Sequence, residues 1–146
     1  MIDHPMILPR RRALLLNGVA LIAAPWAPAR ALPNEVAALI QALTGGTAPQ
    51  LGRVKLELPL LVENGNAVGM TVTGPEGTVS LHVFAERNPN PEVITATFGP
   101  ASARPRLATR IRLATSQTVI AVARCPDNTF WMDSVDLIVT LAACLE

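Results

Sequence analysis

From residue 54 onward, hydrophobic and polar side chains alternate in short runs broken by glycine, proline, asparagine and aspartate. Val54-Lys55-Leu56-Glu57-Leu58 is the plainest case, and it stops at Pro59. Period-two alternation turns one face of a run toward a core and the other toward water, as in a half-buried strand. Alternating or β-branched runs also cover residues 68–73, 79–84, 93–98, 106–113, 118–124 and 130–141. Turn-forming sequences separate them: Glu63-Asn64-Gly65-Asn66, Gly74-Pro75-Glu76-Gly77, Asn88-Pro89-Asn90-Pro91 and Cys125-Pro126-Asp127-Asn128. Seven strands in roughly 95 residues predict an all-β fold, an immunoglobulin-like β-sandwich, with another sandwich topology or a small barrel as alternatives.

The period changes before these strands. Asn34 can cap a helix that starts at Glu35, Val36, Leu39, Ile40 and Leu43 recur at helical spacing, and Thr44-Gly45-Gly46 supplies the stop. One short amphipathic helix therefore precedes the strands.

Residues 1–31 follow neither period. Arg10, Arg11 and Arg12 stand directly before an apolar run, residues 13–24, interrupted only by Asn17 and Gly18. About a dozen residues are too few for the roughly 20 that a spanning helix needs. The run leads through Pro25 and Pro28 to the small-residue sequence Ala29-Arg30-Ala31. This is the layout of a cleaved export leader, with the cut expected after Ala31 or Ala29. The arginines set against the apolar run resemble a twin-arginine signal; a general secretory leader is the alternative. The mature protein is expected in a bacterial periplasm, with no membrane association once the leader is removed.

Four of the twelve basic residues (Arg10, Arg11, Arg12 and Arg30) and one of the eleven acidic ones (Asp3) fall in that leader, so the remaining domain is close to neutral. It contains no basic run, and the whole chain has three Phe, two Trp and no Tyr. Binding to nucleic acid, which calls for a basic face and stacking aromatics, is excluded on that basis. In Thr109-Arg110-Ile111-Arg112-Leu113 both arginines share one strand face and Ile111 lies on the other with Thr109 and Leu113. The Arg110 and Arg112 face reads as solvated, or else as a patch that attracts anions or a partner.

Two cysteines in an exported protein raise the question of a disulfide. Cys125 opens a turn at one end of the last strand, and Cys144 follows the other end. Roughly 14 extended residues between that turn and Cys144 span about 45 Å, against the 5–6 Å between Cα atoms that a disulfide needs. An internal bridge is not expected. Cys125 reads as a half-buried apolar side chain at a strand end. Cys144 is the third residue from the end of the sequence, where a thiol is accessible for chemistry.

These segments together resemble a known family. Gly52-Arg53-Val54 through Pro59, Glu63-Asn64-Gly65, Val83-Phe84-Ala85 with Asn88-Pro89-Asn90-Pro91, Thr109-Arg110-Ile111-Arg112-Leu113-Ala114, Gln117-Thr118-Val119-Ile120-Ala121-Val122-Ala123 and Val139-Thr140-Leu141-Ala142-Ala143-Cys144 are similar, in this order, to SoxY proteins. The likeness runs over nearly all of residues 34–144 and implies a sulfur carrier of the thiosulfate-oxidising Sox system. It divides the chain into a leader (1–31), a SoxY-type sandwich (32–141) and a carrier tail (142–146). Cys144 would hold thiosulfate-derived sulfur while separate periplasmic enzymes load it, hydrolyse off sulfate and oxidise the rest. A second β-sandwich subunit, SoxZ, would be its heterodimer partner. The carrier itself would catalyse nothing and need no cofactor.

The tail departs from the family's Gly-Gly-Cys-Gly-Gly: Ala142, Ala143, Leu145 and Glu146 surround Cys144 here. Alanine and leucine restrict φ where glycine does not, so the arm is expected to be stiffer and thicker. The Glu146 side chain and the terminal carboxylate add negative charge beside the thiol, which disfavours the thiolate. A SoxY paralogue with another sulfur substrate is one alternative, and a sandwich that binds a partner without using Cys144 is another. A redox or metal-handling protein built on Cys144, Cys125, His82 and the methionines is the weakest, because these ligands share no close spacing on one element. His82, the single histidine after the leader, lies in an alternating strand, where a histidine is ordinarily structural.

Overall fold

In the computed structural model, residues 35–140 apart from Ala103 are described. The leader, the capping Asn34 and the tail with Cys144 lie outside the described residues. The helix α1 spans Glu35–Thr44. It stops as its sequence predicts: Gly45 and Gly46 take φ of 64° and 88°, and the Gly46 N–H donates back to the Gln41 carbonyl at 2.9 Å, closing the last turn.

Among the described residues nine strands follow: β1 Gln50–Leu51, β2 Lys55–Glu57, β3 Leu61–Val62, β4 Val68–Thr73, β5 Ser80–Ala85, β6 Glu92–Thr97, β7 Arg106–Ile111, β8 Gln117–Arg124 and β9 Phe130–Val139. Seven correspond to the runs read from alternation. The two additional ones, β1 and β3, hold two residues each and pair parallel with opposite ends of β9, Leu51 opposite Met132 and Leu61 opposite Ile138. Two residues cannot display a period, so neither strand shows in the pattern. The seventh run, expected over residues 130–141, is a strand only to Val139.

The strands form two sheets. The larger has the order β1-β9-β8-β5-β6, with β3 also on β9; the smaller is β2-β4-β7. This is an immunoglobulin-like β-sandwich with one helix before it. Between the sheets lies a core that includes Leu56, Met70 and Val72 from the smaller sheet and Leu81, Val83, Val119 and Ala121 from the larger. The helix covers the opposite face of the larger sheet, where Val36 packs with Phe84, Ile120, Val122 and Phe130. Strands β5 and β8 are thus buried on both faces, which is why their sequences read as nearly unbroken apolar runs rather than strict alternation.

A carboxylate ties the layers together. Asp133 in β9 accepts the backbone N–H of Leu56 in β2 at 2.8 Å, satisfying a donor that the short β2 leaves open. Arg53, in the left-handed region at φ 56°, lays its guanidinium 5.0 Å from the centre of the Trp131 ring.

Candidate functional site

The end of the sandwich from which the tail departs is built from β9, β3 and the loops after β5 and β7. The Val139 N–H donates to Ser116 Oγ at 2.9 Å, and the Thr140 N–H donates to the Val62 carbonyl at 2.8 Å. The last two described residues are therefore each fastened, Val139 to Ser116 and Thr140 to Val62, with Cys144 four positions beyond Thr140. Gly65 stands against Val139 and against the backbone of Leu113, whose N–H donates to the Gly65 carbonyl at 2.8 Å. The predicted turn here is closed by the Asn66 N–H donating to Asn64 Oδ1.

A hydrogen-bond hub holds the neighbouring loops. Gln117, 6 % exposed, accepts the Arg87 N–H at 2.8 Å and donates to Asn88 Oδ1 at 2.9 Å and to the Thr115 carbonyl at 3.0 Å. Asn88 in turn donates to the Arg112 carbonyl at 2.8 Å and accepts the Ala114 N–H at 3.0 Å. The loop after β5 and the loop after β7 are thereby one unit.

Arg110 and Arg112 are both exposed, while Ile111 and Leu113 between and after them are buried, so the alternation expected from the sequence holds. Arg110 lies opposite Gly69 on the outer face of the smaller sheet. A groove of about 300 Å³ joins Arg110 and Arg112 to Asn88, Asn90 and Glu92 across the free edges of β7 and β6. Neither guanidinium has an ion-pair partner among the described residues. Its surface can accept an anion or the acidic side chains of another protein.

The other candidates resolve differently. Cys125 is 8 % exposed and unbridged, seated in the β8–β9 turn, where its N–H donates to the Thr129 carbonyl and its carbonyl accepts the Asn128 N–H. Asn128 takes the left-handed conformation the turn demands, φ 58°. His82 lies on the outer face of β5. Thr95 donates its hydroxyl proton to Glu92 at 2.8 Å, so its oxygen accepts from His82 Nδ1 at 3.1 Å and Nε2 accepts from Ser80 at 3.0 Å. Burial pushes the imidazole pKa below its ordinary value, the Glu92 carboxylate opposes that shift, and Arg124 adds to it. A neutral ring stacked on Phe84 with both nitrogens satisfied is a structural histidine. Among the described residues no three His, Cys, Asp or Glu side chains gather as a metal site, and no helix is long and apolar enough to cross a membrane.

Sequence reasoning missed an apolar rim beside the root of the tail. Leu60, Leu61 and Ile138 remain 68 %, 60 % and 59 % exposed. The signal was Leu58-Pro59-Leu60-Leu61-Val62, four apolar residues around a proline with no alternation to assign them inward. Such a run next to a short edge strand leaves large side chains in water.

Among curated proteins compared by sequence, none matches significantly. The sulfur carrier protein SoxY from Chlorobium limicola f thiosulfatophilum is similar in structure, with a TM-score of 0.62 at 23 % identity over 73 % of this chain and 96 % of that one. A superoxide reductase (neelaredoxin) from Ignicoccus hospitalis, the E23A variant, gives 0.54 at 19 % identity over 70 % and 86 %. At these identities the likeness extends to the fold. The family model described as sulfur oxidation protein SoxY matches residues 40–144, ending on Cys144 itself. The chain belongs to the SoxY family.

Proposed function

We propose that this protein is an exported carrier which holds thiosulfate-derived sulfur covalently on Cys144 and presents it to separate periplasmic enzymes. The observation that carries the reading is the family match that runs through the sandwich and ends on that cysteine. Joining a cysteine thiolate to thiosulfate by a new S–S bond releases two electrons, so the loading partner must take them up. Adding water to the terminal sulfonate then frees sulfate and two protons and leaves a persulfide on the carrier. Each step needs a different catalytic site, and a short arm on a rigid sandwich lets one sulfur visit several.

Residues 1–31 direct export in this reading, and a SoxZ-like sandwich is the heterodimer partner. Arg110 and Arg112 supply the contact surface we assign to that partner, because two exposed guanidinia without ion pairs on a strand edge favour acidic side chains opposite them. Alanine, leucine and glutamate around Cys144 restrict φ where glycine does not, which would narrow the set of enzymes that admit the arm.

Intact mass measurement of the mature protein, purified from its own periplasm without reductant and mapped by fragmentation, tests the assignment. Adducts of sulfur or thiosulfonate mass on Cys144, absent from Cys144→Ser, are expected. An unmodified Cys144 during growth on reduced sulfur, or loading that survives Cys144→Ser, would remove the carrier reading. Partner capture equal in the wild type and Cys144→Ser but lost in Arg110→Glu/Arg112→Glu is expected for the subunit contact.

A further inference from the structure

We propose that Leu60, Leu61 and Ile138 form a docking collar for the enzymes that act on Cys144. The inference rests on the carrier reading and adds to it the place where the catalytic partner lands.

The argument begins with reach. Thr140 is hydrogen bonded to Val62, and Cys144 lies four positions beyond it. Fully extended, four residues cover about 13 Å. A catalytic group that touches the Cys144 sulfur therefore lies no farther than about this from Thr140, plus the length of one side chain. A macromolecule surrounding such a group must rest on the ground around the end of β9.

That ground is apolar. The Ile138 N–H donates to the Leu60 carbonyl at 2.8 Å, and Leu61 stands opposite Ile138 in the parallel β3–β9 pair, so the three residues are neighbours. They are, with Leu51, the large hydrophobic side chains most open to water among the described residues. Asp136 shares a β9 face with Ile138, two residues earlier, and exposed Glu63 follows Val62. The complementary surface is an active-site mouth with an apolar rim and basic residues beside it. Basic residues there also suit the anionic sulfur cargo that the arm would deliver.

A well-placed apolar contact at the rim of a mouth strengthens encounter without touching chemistry, so its loss raises KM and leaves kcat. The test uses the mature protein with Cys125→Ser as background. Cys144 is loaded chemically: its thiolate attacks a central sulfur of tetrathionate, forms Cys–S–S–SO3⁻ and expels thiosulfate, with no net oxidation. Sulfate release by the sulfate-releasing hydrolase of a Sox system is then followed against carrier concentration. Leu61→Asn combined with Ile138→Thr is expected to lower kcat/KM at least tenfold through KM, with kcat and the rate of tetrathionate labelling unchanged. Glu63→Lys, which leaves the apolar rim intact, should raise KM several-fold and weaken its salt dependence.

If kcat/KM of the double variant stays within twofold of the parent, the collar is refuted while the carrier reading stands. Absence of sulfate release from the loaded parent refutes both. If the substitutions dissociate a homodimer or the complex with a sandwich partner in size-exclusion chromatography and leave turnover unchanged, the rim is a subunit interface and the collar is again refuted. The variant sites are solvent-exposed, so thermal denaturation within a few degrees of the parent is expected.

Discussion

Replacing Gln117 by leucine isolates the hydrogen bonding of the loop hub, because leucine nearly keeps the volume and removes all three polar contacts. The Arg87 N–H loses its acceptor, and Asn88 Oδ1 and the Thr115 carbonyl lose a donor. Asn88 Oδ1 retains the Ala114 N–H, so it is not orphaned. Leaving one buried donor unpaired costs about 1–3 kcal/mol, and the lost donor to Thr115 adds a smaller amount because a carbonyl with some water access recovers part of it. The extra apolar surface of leucine offsets some of this. A net loss of about 2 kcal/mol is expected, equivalent to a melting temperature lower by roughly 10 °C for a domain of this size.

Urea denaturation at fixed pH, with Gln117→Leu, Asn88→Ala and the double variant, measures the effect and its sharing. The slope should be unchanged, since the fold and the surface exposed on unfolding are the same. The cycle should give a coupling of at least about 0.5 kcal/mol, because Gln117 and Asn88 are bonded to each other. A loss below about 0.5 kcal/mol for Gln117→Leu, or strictly additive single changes, would refute the hub as an energetic unit and with it the account of how Arg112 is positioned.

His82 makes stability depend on pH. Its folded pKa lies below the ordinary 6.5, so the unfolded chain binds more protons around that value; stability is complete above it and is lost as the pH falls through 6.5 toward the lower folded value. His82→Gln should flatten that decline in melting temperature; an undiminished slope would exclude this histidine as its source. At Gly65 an added Cβ would drive into the Leu113 carbonyl oxygen and press on Val139. Gly65→Ala should therefore cost about 2 kcal/mol and speed hydrogen exchange at Val139 and Thr140, and unchanged exchange there would contradict the contact.

The strands that carry the fold were legible because each buries one face and exposes the other, as in β2, β4 and β7, or shows a bounded apolar run, as in β5 and β8. The sandwich and its preceding helix follow from those periods. What was hidden depends on long-range pairing: β1 and β3 exist through backbone bonds to β9 about 80 residues away, and no local pattern encodes a partner that distant. The site divides along the same line. Arg110 and Arg112 could be assigned outward from alternation, and Cys125 inward from its place beside a turn. The Gln117–Asn88 hub could not be read, because a buried glutamine in the sequence looks like any surface glutamine. Leu60 and Leu61 were invisible for the opposite reason, being apolar and exposed.

The threading of residues 50–62 bears on how the molecule assembles in time. The chain touches the larger sheet at β1, crosses to the smaller one at β2 and returns at β3, and both contacts with the larger sheet are made to the final strand. A ribosome would release this segment long before its partner existed. Contacts so distant in sequence are the slow kind, which places folding in the millisecond-to-second range typical of such topologies rather than among the fast helical folders. Closure is also a quality check. A chain cut short before Phe130 could still pair β2 with β4 but would leave β1 and β3 with no strand to join, so these two edges become protected only when synthesis has delivered the strand that leads to the tail.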